Sequence, residues 1–351
     1  MRPLRVALLF NLKKNAPHSA GEPADAAAEL DSEDTARALQ EALEAGGHKV
    51  FPLEGDEELY PILQRRRKDI DIAFNICEGH RGDSRESQVP AMLEMLGIPY
   101  TAAKVLGHAL SLDKAMAKRV WMSHGLPTAA FQVFSRADEP LNRALSFPLF
   151  AKPLREGTGK GIDGDSVCFD EDQLRKRVER LIANYQQPAL AETYLSGREF
   201  TVGLVGNSLR PGEYPLSEAY RPDGFHVFPV LEIDTSPLDA SERGIYTNRI
   251  KSDMPMSINY HCPARIEQAL EQELRRLAIA AFVALEGLDV SRIDLRLDGQ
   301  GRPHILEINT LPGINPEISD LCIMARAGNM PYETLVNDIL HLAARRNGLD
   351  E

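Results

Sequence analysis

Residues 291–313, Ser-Arg-Ile-Asp-Leu-Arg-Leu-Asp-Gly-Gln-Gly-Arg-Pro-His-Ile-Leu-Glu-Ile-Asn-Thr-Leu-Pro-Gly, constrain this chain more than any other stretch. Polar and apolar side chains alternate from Arg292 to Asp298, the period of a strand buried on one face. Asp298-Gly299-Gln300-Gly301 is turn chemistry, and alternation resumes from His304 to Asn309, so the segment reads as a β-hairpin. Pairing Asp298 near Pro303 across a four-residue loop sets Asp294 opposite Glu307 and Arg292 opposite Asn309, all on one face. Like charges directly opposite destabilise a sheet by a few tenths to about 1 kcal/mol. A cation held between them reverses that sign. Two carboxylates and an amide oxygen are hard ligands, suited to Mg²⁺ or Mn²⁺ carrying nucleotide phosphates. The hairpin is a candidate metal–nucleotide site, with Asp294, Glu307 and Asn309 as its oxygen donors.

The 351 residues suffice for two or three domains with real cores. Residues 4–10 form an apolar run of buried-strand length, followed by a long Ala-, Pro- and acid-rich loop over 11–31. Ser32 caps a helix to about Ala45, Gly46-Gly47 ends it, and strands at 49–53 and 70–76 flank a second helix. This is an open α/β domain, whose ligands sit beyond the carboxyl ends of the strands, where Glu78-Gly79-His80-Arg81-Gly82-Asp83 falls. Residues 87–96 read as a helix, and a boundary is expected near Gly107. Beyond it come a helix over 112–123, a strand over 147–153, a glycine-rich loop to Gly161, a return strand, an amphipathic helix over 171–185 and a strand over 189–194. The last segment shows strands at 200–205 and 227–233, a polar stretch over 235–255, a helix over 263–285, the hairpin, and a terminal helix over 331–345. The expected division is residues 1–107, 108–199 and 200–351.

A net charge of −12 argues against nucleic acid or an anionic membrane as partner, so basic residues here act locally, on small anions. Cys77, Cys168, Cys262 and Cys322 lie far apart without metal-ligand spacing, as reduced thiols of a cytoplasmic protein do. Apolar runs are too short for export or a membrane span. In the loop Lys152-Pro153-Leu154-Arg155-Glu156-Gly157-Thr158-Gly159-Lys160-Gly161, the glycines let backbone N–H groups turn toward phosphate oxygens, with Lys152 as a point charge at the base. The loop lacks the Gly-Lys-Ser/Thr ending of a Walker A motif. Residues 189–199 read as a linker strand ending in Glu192, Leu195 and Glu199, where carboxylates can accept from an adenine amino group or ribose hydroxyls.

From about Leu93 to the terminal helix, the order of elements resembles the ATP-grasp superfamily, and within it the D-alanine–D-alanine ligase family. The most specific pieces are Leu96-Gly97-Ile98-Pro99-Tyr100-Thr101, Ser111-Leu112-Asp113-Lys114, Lys152-Pro153 with Arg155-Glu156-Gly157, Leu195-Ser196-Gly197 with Glu199-Phe200-Thr201-Val202, Arg292-Ile293-Asp294, and Leu306-Glu307-Ile308-Asn309-Thr310 with Pro312-Gly313. The resemblance implies an ATP-grasp fold of the α/β (α+β) class, in three domains with an open parallel sheet in the first. It implies that Lys114 and Lys152, with Glu156, Gly157 and Thr158 of the loop, contact ATP phosphates. Glu192 and Leu195 then border adenine, and Glu199 binds ribose. Asp294, Glu307 and Asn309 coordinate two Mg²⁺ ions, Arg292 and the Gly313 amide stabilise an oxyanion, and Lys251 reaches the γ-phosphate from an omega-like loop. The implied chemistry is ATP-dependent amide-bond formation through an acyl phosphate, on small amino-acid or amine substrates, by a homodimer.

The departures from the family concern those substrates. The family's glycine-rich turn and Ser-x-Glu segment are replaced by Asn11 and the acidic loop, leaving Glu29, Asp31, Glu33 or Asp34 as substitutes. Spacing back from Gln88 puts Glu78 where the family has a histidine. Paired serines become Thr158 and Gly159, and the tyrosine after the omega-loop lysine becomes Ser252. After Gly313 the family's serine-rich pattern is replaced by Ile314-Asn315-Pro316-Glu317-Ile318-Ser319, so Glu78, Asn315 and Glu317 are the candidate substrate contacts. Altered substrates are the expectation. The alternatives are an authentic D-alanine–D-alanine ligase and a non-catalytic nucleotide-binding homologue.

Overall fold

The apolar run near the amino terminus becomes the centre of a parallel sheet. A computed structural model describes residues 2–17, 23, 25–238, 245, 247 and 258–350. Within it β1 (Arg5–Phe10) pairs in parallel with β2 (Lys49–Glu54) on one side and β3 (Ile72–Asn75) on the other. Val6 through Leu9 are buried on both faces, as a central parallel strand must be. Helix α1 (Glu33–Ala45) starts where Ser32 Oγ accepts from the Thr35 N–H at 3.2 Å, and it buries Leu39, Ala42 and Leu43. Helices α2 (Leu59–Arg66) and α3 (Gln88–Leu96) complete the layer, α3 ending at Gly97 in the left-handed region. The buried Asn11 gathers the carboxyl rim of this sheet. Its Nδ2 donates to the Gly55 carbonyl at 2.8 Å and its Oδ1 accepts from the Gly79 N–H at 2.9 Å. The loops after all three strands therefore meet at one point, which fixes Glu78 beside it.

The boundary expected near Gly107 falls inside a helix, α4 (Val105–Leu112). The helix expected over 112–123 is α5 (Lys114–Ser123), separated from α4 by Asp113, whose side chain caps it by accepting from the Met116 N–H at 3.0 Å. Strands β4 (Phe131–Phe134), β5 (Leu149–Pro153), β6 (Val167–Cys168) and β7 (Ala189–Thr193) form an antiparallel sheet in the order β4-β7-β5-β6. Helix α6 (Glu171–Tyr185) covers it with Leu174, Val178 and Leu181.

The third sheet comprises β8 (Glu199–Gly206), β9 (Phe225–Val227), β10 (Leu231–Asp234), β11 (Asn259–His261), β12 (Val290–Leu297) and β13 (Pro303–Asn309). Its order is β11-β10-β8-β12-β13, with β9 paired to β8. Helix α7 (Gln268–Ala284) packs Leu274, Leu277, Ala281 and Phe282 on one face, and Trp121 of α5 enters the same core, its Nε1 donating to the Ala281 carbonyl at 3.2 Å. Helices α8 (Asp320–Ala327) and α9 (Tyr332–Arg346) pack elsewhere, in a core shared with β1 and α1. Among the described residues no helix is long and apolar enough to cross a membrane.

Asp289, fully buried with φ +63°, joins these parts. Its carboxylate accepts from the Ala102 N–H at 2.9 Å, Asn207 Nδ2 at 2.8 Å and Arg346 Nη2 at 3.0 Å. Asp289→Asn keeps the shape and the tolerance of a left-handed backbone but leaves the Arg346 guanidinium without its counter-charge. Urea unfolding of this variant is expected to show a stability loss of about 3 kcal/mol with an unchanged slope.

Candidate active site

Strands β12 and β13 pair with Arg292 opposite Asn309, Ile293 opposite Ile308 and Asp294 opposite Glu307. The tip differs from the expected pairing by one residue: Leu297, not Asp298, faces Pro303, and the Asp298 N–H donates to the Arg302 carbonyl at 2.9 Å. A β-bulge at Leu306 absorbs the difference, since Leu295 pairs with Ile305 and Asp294 with Glu307. Continued without the bulge, the tip register would place Leu306 opposite Asp294 and turn Glu307 to the other face. The Ile305-Leu306 doublet, which breaks the alternation of this strand, is the sequence signal of the bulge.

Arg292 grips Asp294 through Nε at 3.1 Å and Nη2 at 2.9 Å, while its Nη1 donates to Asp320 Oδ2 at 3.2 Å. Burial works against the Arg292 charge, but Asp294 and Asp320 outweigh it and push the pKa of the guanidinium up. Thr201 of β8 donates to Asp294 from the next strand. Lys114 Nζ stands 3.6 Å from Glu307 Oε2 and also donates to the Glu156 carbonyl. Among the described residues no three His, Cys, Asp or Glu side chains gather into a metal cage. Two carboxylates and the Asn309 amide suit instead an ion whose remaining positions are filled by phosphates and water, the usual mode of Mg²⁺.

Behind this face lies a buried triad. Glu192 of β7 accepts from Lys152 of β5 at 2.9 Å and stands 2.6 Å from Lys118 of α5, whose Nζ also donates to Thr128 Oγ1 at 2.7 Å. Burial alone would raise the Glu192 carboxyl, yet the two lysines override it and bring it down to about 2. Lys152, disfavoured by burial, is likewise held charged by Glu192 and Glu307.

A cleft of about 880 Å³ opens over the triad. Lys114, Lys152, Glu192 and Asp294 line it with the apolar Phe150, Ile162, Leu195, Ile233 and Leu306. At one end Arg296 Nη1 contacts Glu199 Oε2 at 3.2 Å, and Arg296 Cζ lies 5.5 Å from the Tyr194 ring centroid.

The glycine-rich loop bends through positive φ at Thr158 (+52°), Gly159 (+70°) and Gly161 (+68°). A β-branched residue is rare in that region, and holding it there costs about 1–3 kcal/mol. The early acidic loop reaches over it. Glu29 accepts from the Gly157 N–H, from Lys160 Nζ at 2.7 Å and from Arg85 Nη2 at 2.8 Å, and Asp25 accepts from the Gly161 N–H at 3.0 Å. Burial pushes the Glu29 carboxyl up, but Arg85 and Lys160 bring it down to about 2. Of the four acids considered for this place, Glu33 and Asp34 are exposed beside Lys14 and Arg37, whereas Glu29 and Asp31 turn inward.

Glu78 lines a second cavity, bounded by Glu307 and Asn309 on its far side. Asn315 is occupied structurally: its Nδ2 donates to Thr35 Oγ1 at 3.0 Å, and its Oδ1 accepts from the Glu317 N–H at 3.0 Å. Glu317 and Gly313 are exposed on the segment leading to α8. Lys251 and Ser252 lie outside the described residues. Sequence reasoning missed Lys118, Thr201, Asp320 and Arg85. Lys118 had a signal, being four residues after Lys114 on one helix face; Asp320 had another, as an acid opening a helix.

Residues 120–341 match the family described as D-ala D-ala ligase C-terminus. An uncharacterized protein y4sG of Sinorhizobium fredii is 34% identical over 87% of this chain and 86% of its own length. A D-alanine–D-alanine ligase of Cupriavidus metallidurans is 34% identical over 86% of this chain and 84% of its own. The crystal structure of a D-alanine–D-alanine ligase from Bacillus anthracis complexed with ATP superposes with a TM-score of 0.71 at 20% identity, covering 99% of this chain and 100% of that one.

The triad has a pH signature. Because Glu192 is depressed in the folded protein, its stabilisation is complete above the ordinary value of 4.5 and fades as pH falls toward 2. Glu192→Gln is expected to be less stable than the parent by about 3 kcal/mol at pH 7. The gap should close as unfolding is followed below pH 4.5; a gap independent of pH would contradict the assignment.

Proposed function

The chain belongs to the D-alanine–D-alanine ligase family, ATP-dependent ligases that form peptide bonds, and we propose that it joins a carboxylate to an amine through an acyl phosphate, with substrates other than two molecules of D-alanine. One observation carries this reading: Asp294 directly faces Glu307 beside Lys114, at the edge of a cleft also lined by Lys152 and Glu199. That is an arrangement for placing phosphates against a metal-binding face.

In this reading adenosine occupies the cleft, with Glu192 and Leu195 at the base and Glu199 at the ribose. Lys114, Lys152 and the loop residues Glu156, Gly157 and Thr158 surround the phosphates. Asp294, Glu307 and Asn309 hold two Mg²⁺ ions, which Mn²⁺ can replace; bound there, the metal neutralises charge on the phosphoryl group in transfer. The substrate carboxylate attacks the γ-phosphorus, ADP leaves, and the amine then displaces phosphate from the acyl carbon. Arg292 and the Gly313 N–H stabilise the oxyanion of that second step. Arg292 is well prepared for it, since Asp294 and Asp320 fix its plane. Lys251 is assigned to the γ-phosphate. The protein acts in the cytoplasm as a homodimer, by the same family likeness.

Altered substrates are supported by what stands around the second cavity. Glu78 replaces the family's histidine, and Asn315 is bound to Thr35 rather than directed to a ligand. Incubated with Mg-ATP and a mixed pool of amino acids and amines, the protein should release ADP only when both a carboxylate and an amine are present. Hydroxylamine in place of the amine should trap a hydroxamate. Asp294→Asn and Glu307→Gln should each raise the Mg²⁺ concentration giving half the maximal rate by at least about tenfold. High turnover with D-alanine as sole amino acid would sink the altered-substrate reading.

A further inference from the structure

The cavity between the hairpin and the amino-terminal rim holds more carboxyl groups than its cations match. It is lined by Glu29, Glu78, Glu86, Lys114, Glu307 and Asn309, among others. Among the described residues Lys114 is the cation of its lining, while Arg85 and Lys160 stand behind that lining and are matched already. Arg85 contacts Glu29 at 2.8 Å and Glu156 at 3.2 Å; Lys160 contacts Glu29 at 2.7 Å and Glu156 as well. Lys114 turns to Glu307 and the Glu156 carbonyl. Among the described residues Glu78 and Glu86 are left over.

Glu86 is only 9% exposed, yet among the described residues its carboxyl makes no hydrogen bond. Its one ion-pair contact among them is His108 Nδ1 at 3.9 Å, beyond hydrogen-bond range. Burial pushes that imidazole down to about 3, so it carries no charge to offer. Glu78 likewise has neither hydrogen bond nor ion pair among the described residues. Its carboxyl is raised by burial and then by Glu86, Glu29 and Asp31, while burial raises Glu86 to about 7 despite Arg85. Neither side chain caps a helix or closes a turn. Glu86 is buried and Glu78 half-buried, and carboxyl groups shielded from bulk water without a protein partner carry a desolvation cost that a bound cation would offset. Two of them facing one cavity, opposite the hairpin that handles phosphate, are best understood as waiting for positive charge.

We propose that Glu78 and Glu86 together receive the two positive charges of a diamino acid, a carboxylate substrate whose side chain ends in a protonated amine. This rests on the ligase reading above. The reacting carboxylate lies toward Lys114 and Glu307, and the amino groups lie toward the amino-terminal rim. Two carboxyls balance two ammonium groups, whereas alanine offers one and leaves a buried acid unmatched. Discrimination then comes from the unpaired group that a neutral side chain would leave behind.

The test uses the full chain with Mg-ATP and a mixed amine pool. ADP release is compared across both enantiomers of 2,3-diaminopropionate, 2,4-diaminobutyrate, ornithine and lysine, against alanine, norvaline and norleucine. At least one diamino acid should exceed its neutral counterpart in kcat/KM by about tenfold or more, as expected for hydrogen bonds to charged groups. Glu78→Gln and Glu86→Gln should each shrink that ratio by about tenfold. A second arm measures binding without chemistry, by calorimetric titration of each diamino acid and its neutral counterpart into wild-type protein loaded with a non-hydrolysable ATP analogue. Turnover of neutral amino acids equal to or above that of every diamino acid would overturn the inference while leaving the ligase reading standing. Absence of ADP release with any carboxylate would overturn the ligase reading. The titration then still decides the inference, which fails if no diamino acid binds more tightly than its neutral counterpart.

Discussion

One added residue in one strand governs the chemistry of this molecule. The hairpin tip starts in a register that would separate Asp294 and Glu307 onto opposite faces, and the bulge at Leu306 brings them back opposite each other. Side chains in a strand alternate faces, so a single-residue slip redirects every group beyond it. Here the redirected group is the Glu307 carboxylate, and Asn309 follows it. Ile305 on one side of the bulge and Ile308 on the other both remain buried, so the core tolerates the correction.

Around that face, nearly every buried charge has a designated opposite. Arg292 lies between Asp294 and Asp320, Glu192 between Lys152 and Lys118, and Glu29 between Arg85 and Lys160. Removing ions from water costs several kcal/mol each, and close pairing with further hydrogen bonds offsets it. Each set also crosses from one part of the fold to another: a helix and two strands of the central sheet for Glu192, the early loop and the glycine-rich loop for Glu29. The charges that line the cleft thus also hold its walls together. Against this background Glu78 and Glu86 stand out, being unmatched among the described residues.

The early loop changes meaning in the structure. Its composition suggested only that a loop so long has a function or lacks order. In the fold Asp25 and Glu29 accept from the Gly161 and Gly157 N–H groups, so the first part of the chain packs on the glycine-rich loop. Asn11 contributes from below by tying Gly55 and Gly79, which makes the position of Glu78 a property of three strands together.

Local periodicity was legible: the parallel strands, the capped helix at Ser32 and the hairpin follow from spacing within a few residues, whereas the facing of Asp294 and Glu307, though expected, is reached through a bulge that the expected tip pairing lacked. The family pattern added the division of labour between glycine-rich loop and hairpin. The split into α4 and α5 was not read, because Asp113 interrupts a continuous apolar pattern with a cap rather than a breaker. Lys118 and Glu192 are 74 residues apart and Asp25 and Tyr185 are 160, and no local pattern carries such pairings. Chain order alone determined which residue types were available and how each short segment would bend. Only the tertiary structure decided which charges would meet, because a buried ion finds its partner through the packing of whole sheets and helices and not through its neighbours in sequence.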